Sequence, residues 1–391
     1  MEQKRALEGI KVLDMGRVLS GPLCASILGD FGADVIKLEM PGTGDDSRVN
    51  KPYGGYFACF NRNKKSITLN LKEGKEQFFK LVDSVDVLIE NFRPGVMEKL
   101  GFGYEVLRQR NPGLIYCAVS GFGQNGPYSQ RACFDPVAQA MSGIMSVTGF
   151  PGTRPVRCGA SICDVMAGQN AALGVLAALQ YRERTGLGQM VDVSLVDVGV
   201  TAMSSIIQNY LSDGFMNTKM GNGYVAGAPG GSYHAKDGEF ILNASADKSF
   251  AKLCDSMGRP ELLEDPKFST RKARCENRDE LDDIINEWTV TKTVDEHVQH
   301  FLDLKMVAGP VYNVKQTTED PQIAGARNMF PEVEVSGIGK FRITGQPIKL
   351  SETPAQIYHN PPVLGEDNDA VYAQLGYTPE EIQKMAESGI I

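Results

Sequence analysis

The stretch SITLNLKEGKEQFFKLVDSVDVLIENF, residues 66–92, decides the fold. SITLNLK (66–72) reads as a strand, EGKEQFFKLVDSV (73–85) as a helix and DVLIENF (86–92) as a second strand. A helix between two closely spaced strands is the signature of a parallel βαβ unit. The same alternation precedes it, in IKVLDM (10–15), SGPLCASILGDFGA (20–33) and DVIKLE (34–39). It continues in LIYCAVSGFG (114–123) and QMVDVSLVD (189–197). The fold class is therefore α/β, with a parallel sheet, helices on both faces and ligands beyond the carboxyl ends of the strands.

Between and after these units the pattern changes. Residues 124–163 read as loop around one helix, DPVAQAMSGIMSV (135–147), and a long helix follows over about 165–183. VGVTAMSSIIQNYL (198–211) reads as a helix leading out of the sheet domain, and GNGYVAGAPGGSYHAKDG (221–238) as a linker or mobile loop. Residues 239–310 hold one strand and several polar amphipathic helices, the character of a smaller second domain. Strand-like GKFRITGQPIKL and a final helix complete the chain; Thr378 and Glu381 form its capping box.

Bulk properties narrow the function. The 391 residues carry a net charge of −8 and no basic run, which argues against a nucleic-acid partner. The longest apolar segment, NAALGVLAALQY, is too short to span a bilayer, so no membrane partner is expected. Eight scattered cysteines without a CxxC pair, behind a charged start with no signal peptide, read as reduced thiols of a cytoplasmic protein. His297 and His300 share a helical face, but no Cys/His cluster supports a metal site.

The first strand–helix turn reads GRVLSG, not GxGxxG, so the dinucleotide fingerprint is absent. Glu39 ends the second strand, where a ribose-binding acid would sit, or is simply a solvated strand end. Cations recur near strand ends: Arg17, Lys64, Lys65, Lys72, Arg93 and Lys99. Gathered at one sheet edge, they would hold phosphates; singly, each is a surface charge. In GASICDVMAGQ (159–169), Asp164 has two readings. It caps the long helix, or it is a carboxylate nucleophile with small neighbours that admit a substrate.

The segments GPLCASILGDFGADVIKLE, FNRNKKSITLNLK, VLIENFRPGVMEKLGFGYE, SGFGQNGP and TGLGQMVDVSLVD together resemble the family III CoA-transferases, the CaiB/BaiF superfamily that includes formyl-CoA and crotonobetainyl-CoA transferases. The resemblance runs from about residue 8 to the end and is strongest over residues 8–200. It implies a Rossmann-like large domain, an inserted small α+β domain and an interlocked homodimer. The matching division is 1–205 for the N-terminal part of the large domain and 206–232 for a linker with a possible mobile Gly-rich loop. Residues 233–318 form the small domain, and 319–391 return to the large one.

The resemblance also assigns a chemistry: transfer of CoA from an acyl-CoA donor to a small carboxylic acid. No prosthetic group is implied, since CoA is the substrate. Asp164 falls on the position of the family's nucleophile. The CoA positions fall on Arg17, Val18, Leu19, Ser20, Leu69, Lys72, Asn91, Phe92, Arg93 and Lys99, with Gly230 and Gly231 as a possible lid. Formyl-CoA transferases carry glutamine where this chain has Leu19, which weakens formyl or oxalyl substrates. The 2-methylacyl-CoA racemases share the fold but use a histidine where this chain has Phe134. Phe cannot exchange a proton, so transfer is favoured over racemisation. A CoA-binding protein without turnover is a further alternative. Tyr53, Tyr56, Phe134, Tyr224 and Tyr233 could line an acyl pocket or serve the core.

Overall fold

The protein is described from a computed structural model over residues 5–49, 55–224 and 227–391; Tyr53 lies outside these described residues. The chain forms two compact units. The first comprises residues 1–144, 157–215 and 321–391; the second comprises 145–156 and 216–320.

The first unit opens with β1 (Lys11–Asp14), α1 (Ser20–Asp30), β2 (Asp34–Glu39), α2 (Gly55–Asn61), β3 (Lys64–Thr68), α3 (Lys75–Ser84) and β4 (Val87–Glu90). It continues through α4 (Val96–Leu100), α5 (Tyr104–Arg110), β5 (Ile115–Ser120) and α6 (Asp135–Met141), while the single turn α7 (Ile144–Val147) spans the sequence boundary at which residues of the second unit begin. Then come α8 (Ile162–Thr185), β6 (Met190–Ser194), α9 (Leu195–Ala202) and α10 (Ser204–Asp213). The six strands pair in parallel in the order β3-β2-β1-β4-β5-β6. This is the order of doubly wound sheets, with the direction of winding reversing between β1 and β4.

Adjacent residues of each strand are buried on opposite faces, which explains the nearly continuous apolar runs. Leu13, Ile36, Ile67 and Leu88 face one core with Phe78 and Leu81 of α3. Val12, Val35, Val87 and Ile115 face the other, with Leu28 of α1 and Ala167, Ala171 and Val175 of α8. Each fully buried Leu, Ile, Val or Phe contributes about 1.5–3 kcal/mol. Helix α8 is 24 residues long, more than the apolar segment read from the sequence, and is long and apolar enough to cross a bilayer. Its row of small residues instead lies against the sheet and α1. At Gly168 an added Cβ would stand 2.8 Å from the Ser20 carbonyl oxygen, so the two helices meet there backbone to backbone.

β3 is an edge strand, and the C-terminal segment covers its edge. Ser66 N–H donates to Asp367 and Thr68 N–H to Asn368, both at 2.8 Å, while the Tyr372 hydroxyl donates to the Thr68 carbonyl at 2.8 Å. Such side-chain pairing blocks further strand addition. A short hairpin, β10 (Glu332–Val335) with β11 (Gly339–Arg342), packs Val333 and Ile343 against Ala58. The final helix, Pro379–Glu387, carries the expected capping box of Thr378 and Glu381.

The second unit has an antiparallel sheet of β7 (Gly230–Ala235), β8 (Gly238–Asn243) and β9 (Val307–Pro310). Its core is Tyr233, Phe240, Phe250, Leu253, Leu281 and Phe301. His297 Nε2 lies 2.7 Å from the Thr289 carbonyl and His300 Nε2 lies 2.8 Å from the Ser256 hydroxyl, so both imidazoles are tied into this core. Segment 198–211, read as one helix, divides into α9 and α10 at Met203.

Candidate active site

A cleft of about 700 Å³ opens at the carboxyl ends of the parallel strands, within the first unit. Residues after β1 (Met15–Ser20), β2 (Met40, Thr43–Asp46), β3 (Leu69–Lys72) and β4 (Asn91–Pro94) line it, with the end of β5 and Leu195 after β6. This is the crevice that the reversal of strand order creates, and its size suits a large organic ligand.

The turn after β1 is built by close approach. At Gly16 a Cβ would lie 2.8 Å from Gly21 Cα and from Pro22 Cδ, so only glycine fits. The turn is held on two sides. Asn91 accepts from Arg17 N–H at 2.7 Å and donates back to the Arg17 carbonyl at 2.8 Å. Beneath, Lys37 Nζ donates to the Gly16 carbonyl at 2.8 Å, and Asp14 accepts from Gly16 N–H at 2.8 Å. Val18 has φ +66°, a left-handed conformation that a β-branched residue adopts only under constraint, at a cost on the order of 1–3 kcal/mol.

The layer under the turn is a buried ion network. Asp14, Lys37, Asp45 and Lys64 are almost wholly excluded from solvent. Lys37 pairs with Asp45 at 2.9 Å and with Asp14 at 3.7 Å, and Lys64 pairs with Asp14 at 2.7 Å. Burial opposes the Asp45 charge, but Lys37 and the Ser47 hydroxyl and amide outweigh it and hold the carboxyl down at about 2. Burial is the larger influence on Lys64 and brings its ammonium down to about 8.

Two sequence expectations change here. Lys64 belongs to this network and Lys65 pairs with Asp34 at 2.8 Å, so neither serves a cation edge at the cleft. Both begin β3, at the amino end of the strand, and the Lys64 ammonium reaches from there only to the buried layer under the turn. Glu39 is no ribose acceptor: it takes two hydrogen bonds from Arg48 at 2.7 Å, one from Ser66 and one from the Asp45 amide.

Asp164 lies in the first turn of α8 and lines the cleft. It does not cap the helix; Ser161 holds the N-cap position, without a side-chain capping bond. The cap is supplied from a distance. Asp135 of α6 accepts from the Cys163 amide at 2.8 Å and from Gln139 Nε2 at 2.6 Å. Burial first, and the neighbouring Asp135 charge second, push the Asp164 carboxyl up to about 6. The helix start therefore does not keep this carboxylate at its ordinary acidity; desolvation prevails. Burial, with the Asp164 charge as the next cause, likewise drives the Tyr56 hydroxyl up to about 12.

The structure thus gathers Asp164 with Arg17, Val18, Leu19, Ser20, Leu69, Lys72, Asn91, Phe92 and Arg93 around one cleft. Lys99, on α4, is outside the lining, although its neighbour Leu100 is part of it. Gly230 and Gly231 are not in a loop: they open β7 and pair with Asn243 and Leu242. Phe134 lines the cleft and is 76% exposed. Tyr233 is a core residue whose hydroxyl donates to Asp282 at 2.7 Å, and Tyr224 is exposed in the same unit. Sequence reasoning missed Arg131, which lines the cleft with its guanidinium 3.7 Å over the Tyr128 ring, and also Asp135. For Asp135 the signal was its place before Pro136 at a helix start.

The chain is similar to known proteins over nearly its whole length. The family model described as CoA-transferase family III matches residues 7–368. The chain is 39% identical to succinyl-CoA–D-citramalate CoA-transferase of Chloroflexus aurantiacus, over 99% of this chain and 98% of that protein. It is 38% identical to succinyl-CoA:mesaconate CoA-transferase of Haloarcula marismortui, over 95% of this chain and 96% of the relative. The crystal structure of a CaiB/BaiF-family protein from Brucella suis superposes with a TM-score of 0.87 at 36% identity, covering 95% of this chain and all of that one.

Proposed function

The chain belongs to CoA-transferase family III and moves CoA between an acyl-CoA and a carboxylic acid; from that premise we propose that Asp164 is its covalent nucleophile. One observation carries the reading. Asp164 is a partly buried carboxylate in the cleft, its raised pKa has burial and the Asp135 charge as causes with no hydrogen-bond donor or cation among the described residues, and it stands beside the strand-end turns suited to a phosphate-bearing ligand. A desolvated carboxylate without donors to stabilise its charge is a better nucleophile than a solvated one.

The relay conserves the thioester's energy. An Asp164 oxygen adds to the thioester carbonyl and the C–S bond breaks, giving an acyl–aspartyl anhydride and CoA thiolate. The thiolate adds to the aspartyl carbonyl, releasing the donor acid as its carboxylate and leaving an aspartyl–CoA thioester. The acceptor carboxylate then displaces the thiolate to form a second anhydride. Attack of the thiolate on the acceptor's acyl carbon yields the new acyl-CoA and regenerates Asp164.

CoA occupies the turns after β1, β3 and β4, with Lys72 and Arg93 as exposed cations for its phosphates. The acids are small dicarboxylates with succinyl-CoA as donor, a reading supported by the activities for which the relatives are named. Phe134 in the cleft provides no proton-transfer group, which disfavours racemisation. The protein acts in the cytoplasm, in keeping with eight free thiols, and without a prosthetic group. Leu173 and Tyr181 on α8 and Tyr210 and Leu211 on α10 are exposed, which supports an interlocked homodimer of twice 42.6 kDa.

The test pairs a substrate panel with Asp164→Ala. The wild type is expected to pass CoA from succinyl-CoA to a four- or five-carbon dicarboxylate, while Asp164→Ala binds CoA and transfers none. Wild-type transfer rates in Asp164→Ala would refute the assignment.

A further inference from the structure

Asp45 lies in the loop after β2, in a stretch that no chemical motif marks, yet it reaches the cleft from beneath. Its carboxylate accepts from Val18 N–H at 3.2 and 3.3 Å. The same carboxylate pairs with Lys37, whose ammonium holds the Gly16 carbonyl, and accepts from the Ser47 amide and hydroxyl at 2.8 and 2.7 Å. The Asp45 amide is itself fixed by Glu39 at 2.9 Å. Val18 is the one β-branched residue with positive φ among the described residues, and it forms part of the cleft wall. A strained backbone persists where its surroundings over-determine it, and such strain collects at ligand sites.

We propose that Asp45 is a positioning residue for acyl-CoA: by binding Val18 N–H from below, it holds the turn Gly16–Ser20 in its ligand-ready shape before the ligand arrives. The proposal rests on the reading that this cleft takes acyl-CoA. Asp45 touches no reacting atom. Its effect is to remove from the binding step the ordering of a turn that would otherwise relax out of the left-handed region. Lys37 serves the same end, because it neutralises Asp45 and holds the Gly16 carbonyl of the same turn.

Calorimetric titration of CoA into wild type and Asp45→Asn, with hydrogen exchange at the Val18 amide of both ligand-free proteins, tests this. Asn offers Val18 one neutral acceptor in place of a carboxylate. Asp45→Asn is expected to raise the Kd about tenfold, with the single-turnover rate at saturating acyl-CoA within about threefold of wild type. Exchange of the Val18 amide without CoA is expected to quicken in Asp45→Asn and to slow again when CoA is added, a local change that a merely structural role for Asp45 would not confine to this turn. An unchanged Kd in Asp45→Asn, or a raised Kd with Val18 exchange unchanged, overturns the proposal while leaving the cleft assignment intact. Failure of the wild type to bind CoA overturns both. Should Asp45→Asn not fold, hydrogen exchange on wild type decides: the Val18 amide is expected to be protected without CoA, and free exchange there refutes the proposal.

Discussion

The acidity of Asp164 can be read in the rate of transfer. In the proposed relay the nucleophile is the ionised Asp164 carboxylate, whose folded pKa of about 6 stands well above the ordinary 3.8. At that value about 90% of the enzyme is active at pH 7, about half at pH 6 and about 9% at pH 5. The second-order single-turnover rate at subsaturating succinyl-CoA, which reports the ligand-free enzyme, is therefore expected to fall about tenfold from pH 7 to pH 5 through this carboxyl. Titration of the succinyl-CoA phosphates is common to wild type and variant and cancels in their comparison. Asp135→Asn separates the two causes. It keeps an oxygen for the Cys163 amide but removes the like charge beside Asp164. The midpoint should drop below 6 and yet remain above 3.8, because burial is the larger cause and is untouched. A flat profile between pH 5 and 7, or a midpoint unmoved by Asp135→Asn, would refute the reasoning.

Stability should report the same carboxylate. A pKa raised on folding means the native state holds the proton more tightly, so the penalty is absent below pH 3.8 and complete above about 6. Asp164→Asn is expected to stabilise by about 1–3 kcal/mol at pH 7 and by almost nothing at pH 3.5, measured by urea unfolding at both. Gly16→Ala should destabilise by about 1–3 kcal/mol and weaken CoA binding, because its methyl meets backbone and the Pro22 ring at 2.8 Å; calorimetry and urea unfolding check both. Tyr372→Phe should cost about 1 kcal/mol in urea unfolding through the lost bond to the Thr68 carbonyl, with transfer unchanged.

The sheet was legible because parallel strands buried on both faces leave apolar runs that helices interrupt at regular spacing. The strand, helix and strand read over residues 66–92 are β3, α3 and β4, with boundaries moved by about one to four residues. The segment around 221–238 misled, since its glycines read as a mobile loop while Gly230 and Gly231 begin a paired strand. Cross-strand partners such as Asn243 are not signalled locally. Asp164 and the strand-end turns were accessible through motif order. The network beneath them was not, because Asp14, Asp45 and Lys64 meet only in three dimensions. Lys37 did leave a trace: a lysine inside the apolar run DVIKLE, on a strand covered on both faces, requires a buried carboxylate. The raised pKa of Asp164 was also beyond the sequence, since it depends on burial and on Asp135, which folding brings to the start of α8.

The most direct test is to trap the relay itself. Enzyme quenched during turnover of succinyl-CoA with a dicarboxylate acceptor, treated with hydroxylamine and digested, should carry an aspartyl hydroxamate at Asp164 that requires acyl-CoA. Full turnover with Asp164 unmodified, or a hydroxamate on a different carboxylate, would contradict the account.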